Sequence, residues 1–181
     1  MIVSASRRTD IPALYTPWLL GRLRAGYALV RNPMNHGMVR RVDLTPEAVD
    51  CLVFWTKNAE NLARRLGEIE AMGYRFVFQY TVTPYGADLE PGLRDKRKIV
   101  RSFYSLSERF GPDRVLWRYD PVICNGALTE SWHREQFEAL CSAFEGYTRI
   151  CTVSFVDLYP RLRRLAEAGT VREIRADEMR L

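Results

Sequence analysis

Six apolar, β-rich runs alternate with segments of helical spacing along the chain. The runs are MIVSAS (1–6), YALVRNP (27–33), CLVFWTK (51–57), YRFVFQYTVTP (74–84), RVLWRYDPVI (114–123) and TRICTVSFVD (148–157). Between them, Leu62, Leu66 and Ile69 make one apolar stripe. Ile99, Phe103, Leu106 and Phe110 make a second, and Leu158, Leu162 and Leu165 a third. The punctuation fits. Asp10 is placed to cap a first helix with Pro12 just inside, Asn58 to cap the helix after the third run, and Asp157 the last. Gly73, Gly111, Gly146 and Gly169 stand where helices should stop. The piece NHGMVRRVDL (35–44) is expected to pair locally, before a short helix opened by Thr45-Pro46.

Near-continuous apolar strands separated by helices predict a parallel sheet in an α/β fold. Six βα units are too few for a closed eight-stranded barrel, so an open or partial barrel or a doubly wound sheet fits. Neither a linker nor a low-complexity tract divides the chain, so residues 1–181 are expected to form a single domain.

The strand ends share a second pattern: each run begins apolar and finishes in groups that chemistry can use. These are Ser4 and Ser6, Arg31 and Asn32, Lys57, Gln79 with Thr81 and Thr83, Arg118 with Asp120, and Ser154 with Asp157. In α/β sheets, ligands bind outside the carboxyl ends of the strands. The loop SASRRTD adds Arg7, Arg8 and Asp10 at the first strand end. Arg7, Arg8 and Arg31 suit bidentate contacts to an anionic small molecule, and Gln79, Thr81 and Thr83 suit hydrogen bonding. Lys57 and Asp120 are the candidates for proton transfer, since a lysine or a carboxylate in a closed site can be tuned towards neutral pH. The competing reading makes Lys57, Arg118 and Asp120 a structural ion-pair network at the barrel mouth.

Bulk properties narrow the classes. The chain has 181 residues, is 47% hydrophobic and carries a net charge of +5. The charge keeps a nucleic-acid-binding protein open as an alternative, although acids are interleaved with the bases and no nucleic-acid motif stands out. The opening residues carry no basic-then-apolar leader, and no apolar run is long enough to cross a membrane, so a cytoplasmic protein without a membrane partner is expected. Cys51, Cys124, Cys141 and Cys151 are scattered, with no paired spacing that would hold a metal. Cys51, Cys141 and Cys151 sit in apolar patterns and read as core. Cys124 stands beyond a strand with nothing basic beside it and reads as inert. His36 and His133 read as solvated or internally satisfied, and no metal ligand is assigned.

Taken in order, Ser4–Pro12, Val30–Pro33, Val53–Asn58, Phe78–Gly86, Trp117–Pro121 and Thr152–Tyr159 resemble the motifs of a bacterial family of unassigned function. Its members open S-x-S-R-R-T-D-I-P and carry V-R-N-P, V-F-W-T-K-N, W-R-Y-D-P and T-x-S-F-x-D-x-Y. The resemblance spans nearly the whole chain. It implies a partial (βα)6, TIM-barrel-like fold similar to radical S-adenosylmethionine enzymes. For full-length members it also implies S-adenosylmethionine and a 4Fe-4S cluster held by a later C-x-x-x-C-x-x-C motif. This chain reaches RADEMRL without that motif, which predicts a fragment that lacks the cluster ligands. The expected function is therefore the ligand-binding portion of such an enzyme. The alternative is a cluster-free hydrolase or lyase acting on a phosphorylated or carboxylated small molecule. A barrel that stays open should also expose apolar surface at its edge and favour self-association.

Overall fold

Alternation of buried and half-buried residues along 51–56, 76–80 and 115–119 shows why these segments become the central strands of one curved sheet. The computed structural model describes residues 1–5, 9–93, 95–175 and 178–179. In chain order the elements are β1 (Ile2–Ser4), α1 (Ile11–Leu14), α2 (Thr16–Ala25), β2 (Tyr27–Arg31), β3 (Val39–Asp43), β4 (Cys51–Thr56), α3 (Glu60–Ala63) and α4 (Leu66–Ala71). There follow β5 (Phe76–Thr81), α5 (Lys96–Phe110), β6 (Val115–Val122), α6 (Glu130–Phe144), β7 (Cys151–Phe155) and α7 (Arg163–Glu167). Five strands pair in the order β1-β4-β5-β6-β7, every neighbour parallel. Because each crossover steps the same way, the helices gather on one face and the sheet curls into a half-barrel.

The helix-covered face is built from Leu52 and Phe54, Phe76, Phe78 and Tyr80, and Val115, Trp117 and Tyr119, all at or below 1% exposure. Aromatic rings lock the helices to it. Phe110 meets Phe76 at 5.1 Å, Phe103 meets Tyr80 at 5.5 Å, and Phe137 stacks on Trp117 at 5.2 Å. The predicted stripes Leu62–Ile69 and Ile99–Leu106 are buried here. The opposite, concave face carries the alternate residues Val53, Trp55, Val77, Gln79, Leu116 and Arg118, which are only half-buried.

Several expectations are corrected. YALVRNP is not a sixth parallel strand: β2 pairs antiparallel with β3 in a separate two-stranded sheet. Its apolar residues Leu29 (60% exposed) and Val30 (42%) face outwards, so an apolar run here does not mark a core strand. After Asp43 the chain makes a single turn closed by Val49 N–H on the Thr45 carbonyl, and no helix follows Pro46. The third stripe is not a core stripe either, because Leu158 and Leu165 are exposed where the short α7 lacks a sheet to cover. Asp157 does not cap that helix; its carboxylate accepts from the Tyr159 hydroxyl at 3.2 Å. Cys141 is exposed on α6, not in the core, and Cys51 and Cys151 are only partly covered.

Candidate functional site at the strand ends

Four strands deliver polar side chains to one end of the sheet. Lys57 follows the last residue of β4 and continues the concave alternation Val53–Trp55. Gln79 and Thr81 come from β5, Arg118 and Asp120 from β6, and Ser154 from β7. The register places Trp55 beside Gln79, Thr81 beside Arg118, and Arg118 beside Thr152.

Arg118, whose side chain is 12% exposed, binds Asp120 through both Nη2 (2.5 Å) and Nε (3.1 Å). Ser154 donates its hydroxyl to the other Asp120 oxygen. The guanidinium also lies 4.4 Å from the Trp55 ring centroid, so it reaches across β5 and over the row that holds Gln79. Burial pushes the Asp120 carboxyl up. The Ser154 and Arg118 hydrogen bonds, with the charges of Arg118 and Lys57, outweigh it and hold the pKa below its ordinary value. Asp120 is therefore a fixed anion at neutral pH. The Ser154 and Arg118 donors that hold it favour the charged form.

A second cluster forms around Glu90, which the sequence reading did not single out. It lies in the segment between β5 and α5, and its side chain is 7% exposed. Lys57 Nζ binds one of its oxygens and Lys96 Nζ the other. Thr83 adds its hydroxyl at 2.9 Å, while the Thr83 carbonyl accepts from Lys96 at 3.0 Å. Burial raises the Glu90 pKa, but the two lysines outweigh it and the net shift is downward. The chain has three lysines, Lys57, Lys96 and Lys98, and two of them converge on this carboxylate. Tyr85 fastens the same segment to β6: its hydroxyl donates to the Pro121 carbonyl at 2.6 Å and accepts the Ile123 N–H at 2.9 Å.

Asp10 is engaged internally. Its carboxylate caps α1 through Ala13 N–H at 2.9 Å and accepts the Thr56 hydroxyl at 2.8 Å and the Lys57 N–H at 2.9 Å. It staples α1 to the end of β4 and so fixes the backbone that carries Lys57. The carbonyl oxygen of the Gln79 side chain is buried with no hydrogen-bond donor among the described residues.

The structure thus brings together Lys57, Gln79, Thr81, Thr83, Arg118, Asp120 and Ser154. Ser4, on the edge strand β1, is exposed. Ser6, Arg7 and Arg8 lie outside the described residues. Arg31 and Asn32 do not sit at the end of a parallel strand. They belong to the β2–β3 hairpin, where the Asn32 carboxamide oxygen accepts Met34 N–H at 2.8 Å. Asp157 is exposed beyond β7, on Tyr159.

A cavity of about 240 Å³ lies on the opposite face of the sheet, beneath α6 and lined by Tyr119, Val122, Phe137, Val153, Phe155 and Ile174. Glu130, Arg134, Glu138 and Glu178 also line it. His133, at its wall, is 4% exposed and fully engaged. The Ile123 carbonyl can only accept, so Nε2 carries the proton (2.8 Å), and Nδ1 accepts from the Tyr119 hydroxyl (2.7 Å). Burial lowers its pKa and favours the neutral ring.

The cysteines do not fit an iron–sulfur cluster. Cys51 and Cys151 open β4 and β7, at the end of the sheet away from the charged residues. Cys124 is buried and bridged to Arg172, and Cys141 is exposed on α6. Among the described residues no three metal-ligating side chains gather. Among those residues, too, no helix is long and apolar enough to cross a membrane.

Comparison with known proteins gives one match. Neither a curated protein nor a solved structure matches the chain. The family model described as a domain of unknown function (DUF1848) matches residues 2–181. With that coverage and this parallel half-barrel, the chain belongs to the DUF1848 family.

Proposed function

We propose that the strand ends form the binding site of a β/α-barrel enzyme acting on an anionic small molecule, with Lys57 as the residue that meets the anion. The observation that carries this reading is the setting of Lys57. Its side chain is 35% exposed at the mouth, tied to Glu90 on one side and within the field of Asp120 on the other. An ammonium has three donors, and Glu90 takes one, so Lys57 retains capacity for a ligand's oxygen. Asp10, Glu90 and Asp120 are all committed to internal donors, so they repel an incoming anion less than free carboxylates would. The buried Gln79 oxygen favours a ligand that also carries an N–H or O–H group.

Lys57 is the candidate for moving a proton, and Asp120 holds Arg118 in place. This chemistry suits a cluster-free hydrolase or lyase for a phosphorylated or carboxylated substrate. A radical S-adenosylmethionine reading draws on the motif resemblance alone and needs thiolates that the described residues do not gather. Calorimetric titration with inorganic phosphate and with succinate tests the proposal. Removing one charge-assisted contact costs about 1.5–3 kcal/mol, so Lys57→Met should weaken binding by about 10- to 100-fold. Equal affinity in wild type and Lys57→Met would overturn it.

A further inference from the structure

We propose that the β2–β3 hairpin is a docking surface for nucleic acid, separate from the strand-end site. The hairpin stands clear of the body: residues 29–31 and 33–41 are exposed throughout, and Met34 at its turn is 92% exposed. From Tyr27 to Asp43 it carries Arg31, Arg40 and Arg41 against the single acid Asp43, a net +2 (three minus one), with His36 at the turn. Asp43 sits at the base, where its carboxylate accepts Thr45 N–H at 2.9 Å. Among the described residues neither Arg40 nor Arg41 forms an ion pair within 4.0 Å.

Register sorts these groups. Leu29 faces Arg41, Arg31 faces Val39 and Tyr27 faces Asp43, so Tyr27, Leu29, Arg31, Val39, Arg41 and Asp43 share one side of the ribbon, and Arg40 lies on the other. On that side Arg41 lies 4.5 Å from the Tyr27 ring centroid, and Arg22 of α2 lies 5.7 Å from it. Two guanidinium groups are thus held over one aromatic ring, with Arg31 further along the same strand.

Exposed arginine forks interleaved with an aromatic ring complement a phosphate backbone, and a two-stranded ribbon is an element that the major groove of duplex DNA admits. An anionic membrane surface shares the charge but needs a contiguous apolar tip. Here the tip is Asn32-Pro33-Met34-Asn35-His36-Gly37, with the Asn32 and Asn35 side chains tied to backbone N–H groups of the turn. Leu29 stands opposite Arg41 and Val39 opposite Arg31, so arginines and apolar residues are paired across the strands and do not separate into tip and flank. That arrangement favours a nucleic acid.

The test is fluorescence anisotropy of the full chain with a labelled random duplex of about 20 base pairs, between about 50 and 200 mM salt. Each neutralised phosphate adds about 0.9 to the log–log salt slope, so three arginine contacts should weaken binding about 40-fold over that range. Arg22→Gln/Arg31→Gln/Arg41→Gln should remove about three quarters or more of that slope, and Arg41→Gln alone about 0.9. The single variant keeps the test decisive if the triple variant does not fold. Lack of binding at about 50 mM salt, or a slope unchanged in Arg41→Gln, would overturn the proposal. So would arginine-dependent binding to phosphatidylglycerol vesicles in place of the duplex.

Discussion

Replacing Glu90 by glutamine removes one negative charge from between two lysines and leaves the volume almost unchanged. The cost can be worked from the contacts. A buried hydrogen bond to a charged partner contributes about 1.5–3 kcal/mol, and an exposed ion pair about 0–1 kcal/mol. The lysine side chains are 35% and 31% exposed against 7% for Glu90, so each pair falls between those limits, near 1 kcal/mol. The carboxamide oxygen of the variant can still accept from the Thr83 hydroxyl. Glu90→Gln should therefore lose about 2 kcal/mol at neutral pH, and Glu90→Ala about 3–4 kcal/mol, with the Thr83 bond and a cavity added. The pH dependence gives a second handle. The folded-state pKa lies below the ordinary glutamate value of 4.5, so the stabilisation is complete above that value and fades as pH falls through the folded pKa. Urea unfolding at pH 7 and at stepwise lower pH should show the wild-type advantage shrinking only below about pH 4.5. A Glu90→Gln midpoint equal to wild type at pH 7, or a gap unchanged by acid, would mean that the two lysines do not stabilise the buried carboxylate.

Carbon-detected NMR should find the Asp120 carboxyl titrating below the ordinary value of 3.8, and Ser154→Ala should move it upward; no movement would remove Ser154 from its support. Arg118→Lys should change Trp55 fluorescence and destabilise by about 1–2 kcal/mol, because an ammonium cannot hold Asp120 with two donors while lying flat on the indole. Iodoacetamide labelling followed by mass spectrometry should modify Cys141 first. Cys124 is buried and the Cys151 thiol is pushed up to about 12, so labelling of either ahead of Cys141 would contradict the structure. Phe103→Ala should lose about 3–5 kcal/mol in chemical denaturation, since the ring is wholly buried between Tyr80 and Phe144 at 5.5 and 4.5 Å.

The parallel sheet was legible because its strands are buried on the helix side and half-buried on the other, and such strands read as apolar runs ending in polar residues. Tyr27-Ala28-Leu29-Val30 has the same composition and a different fate. Its hairpin signal was the turn-rich Asn32–Gly37 between two short runs, and antiparallel pairing across that turn leaves both strands outside the sheet. Lys57, Arg118 and Asp120 could be placed from strand alternation alone. Glu90 could not, since it lies outside any periodic element and its role arises from contacts to residues 6 and 33 positions away. The available clue was the length of the β5–α5 connection, residues 82–95, well above what joining a strand to a helix requires. Asp10 was legible as a helix cap, but its grip on Thr56, 46 residues on, becomes visible only in three dimensions.

Backbone amide shifts mapped during titration with inorganic phosphate give the sharpest reading of an anion site at the strand ends centred on Lys57. Saturable shifts are expected at Lys57-Asn58, Thr81–Thr83 and Arg118–Asp120, together with their loss in Lys57→Met. Shifts confined to the β2–β3 hairpin or to the cavity beneath α6, with the strand ends unmoved, would place the anion elsewhere and overturn the role given to Lys57.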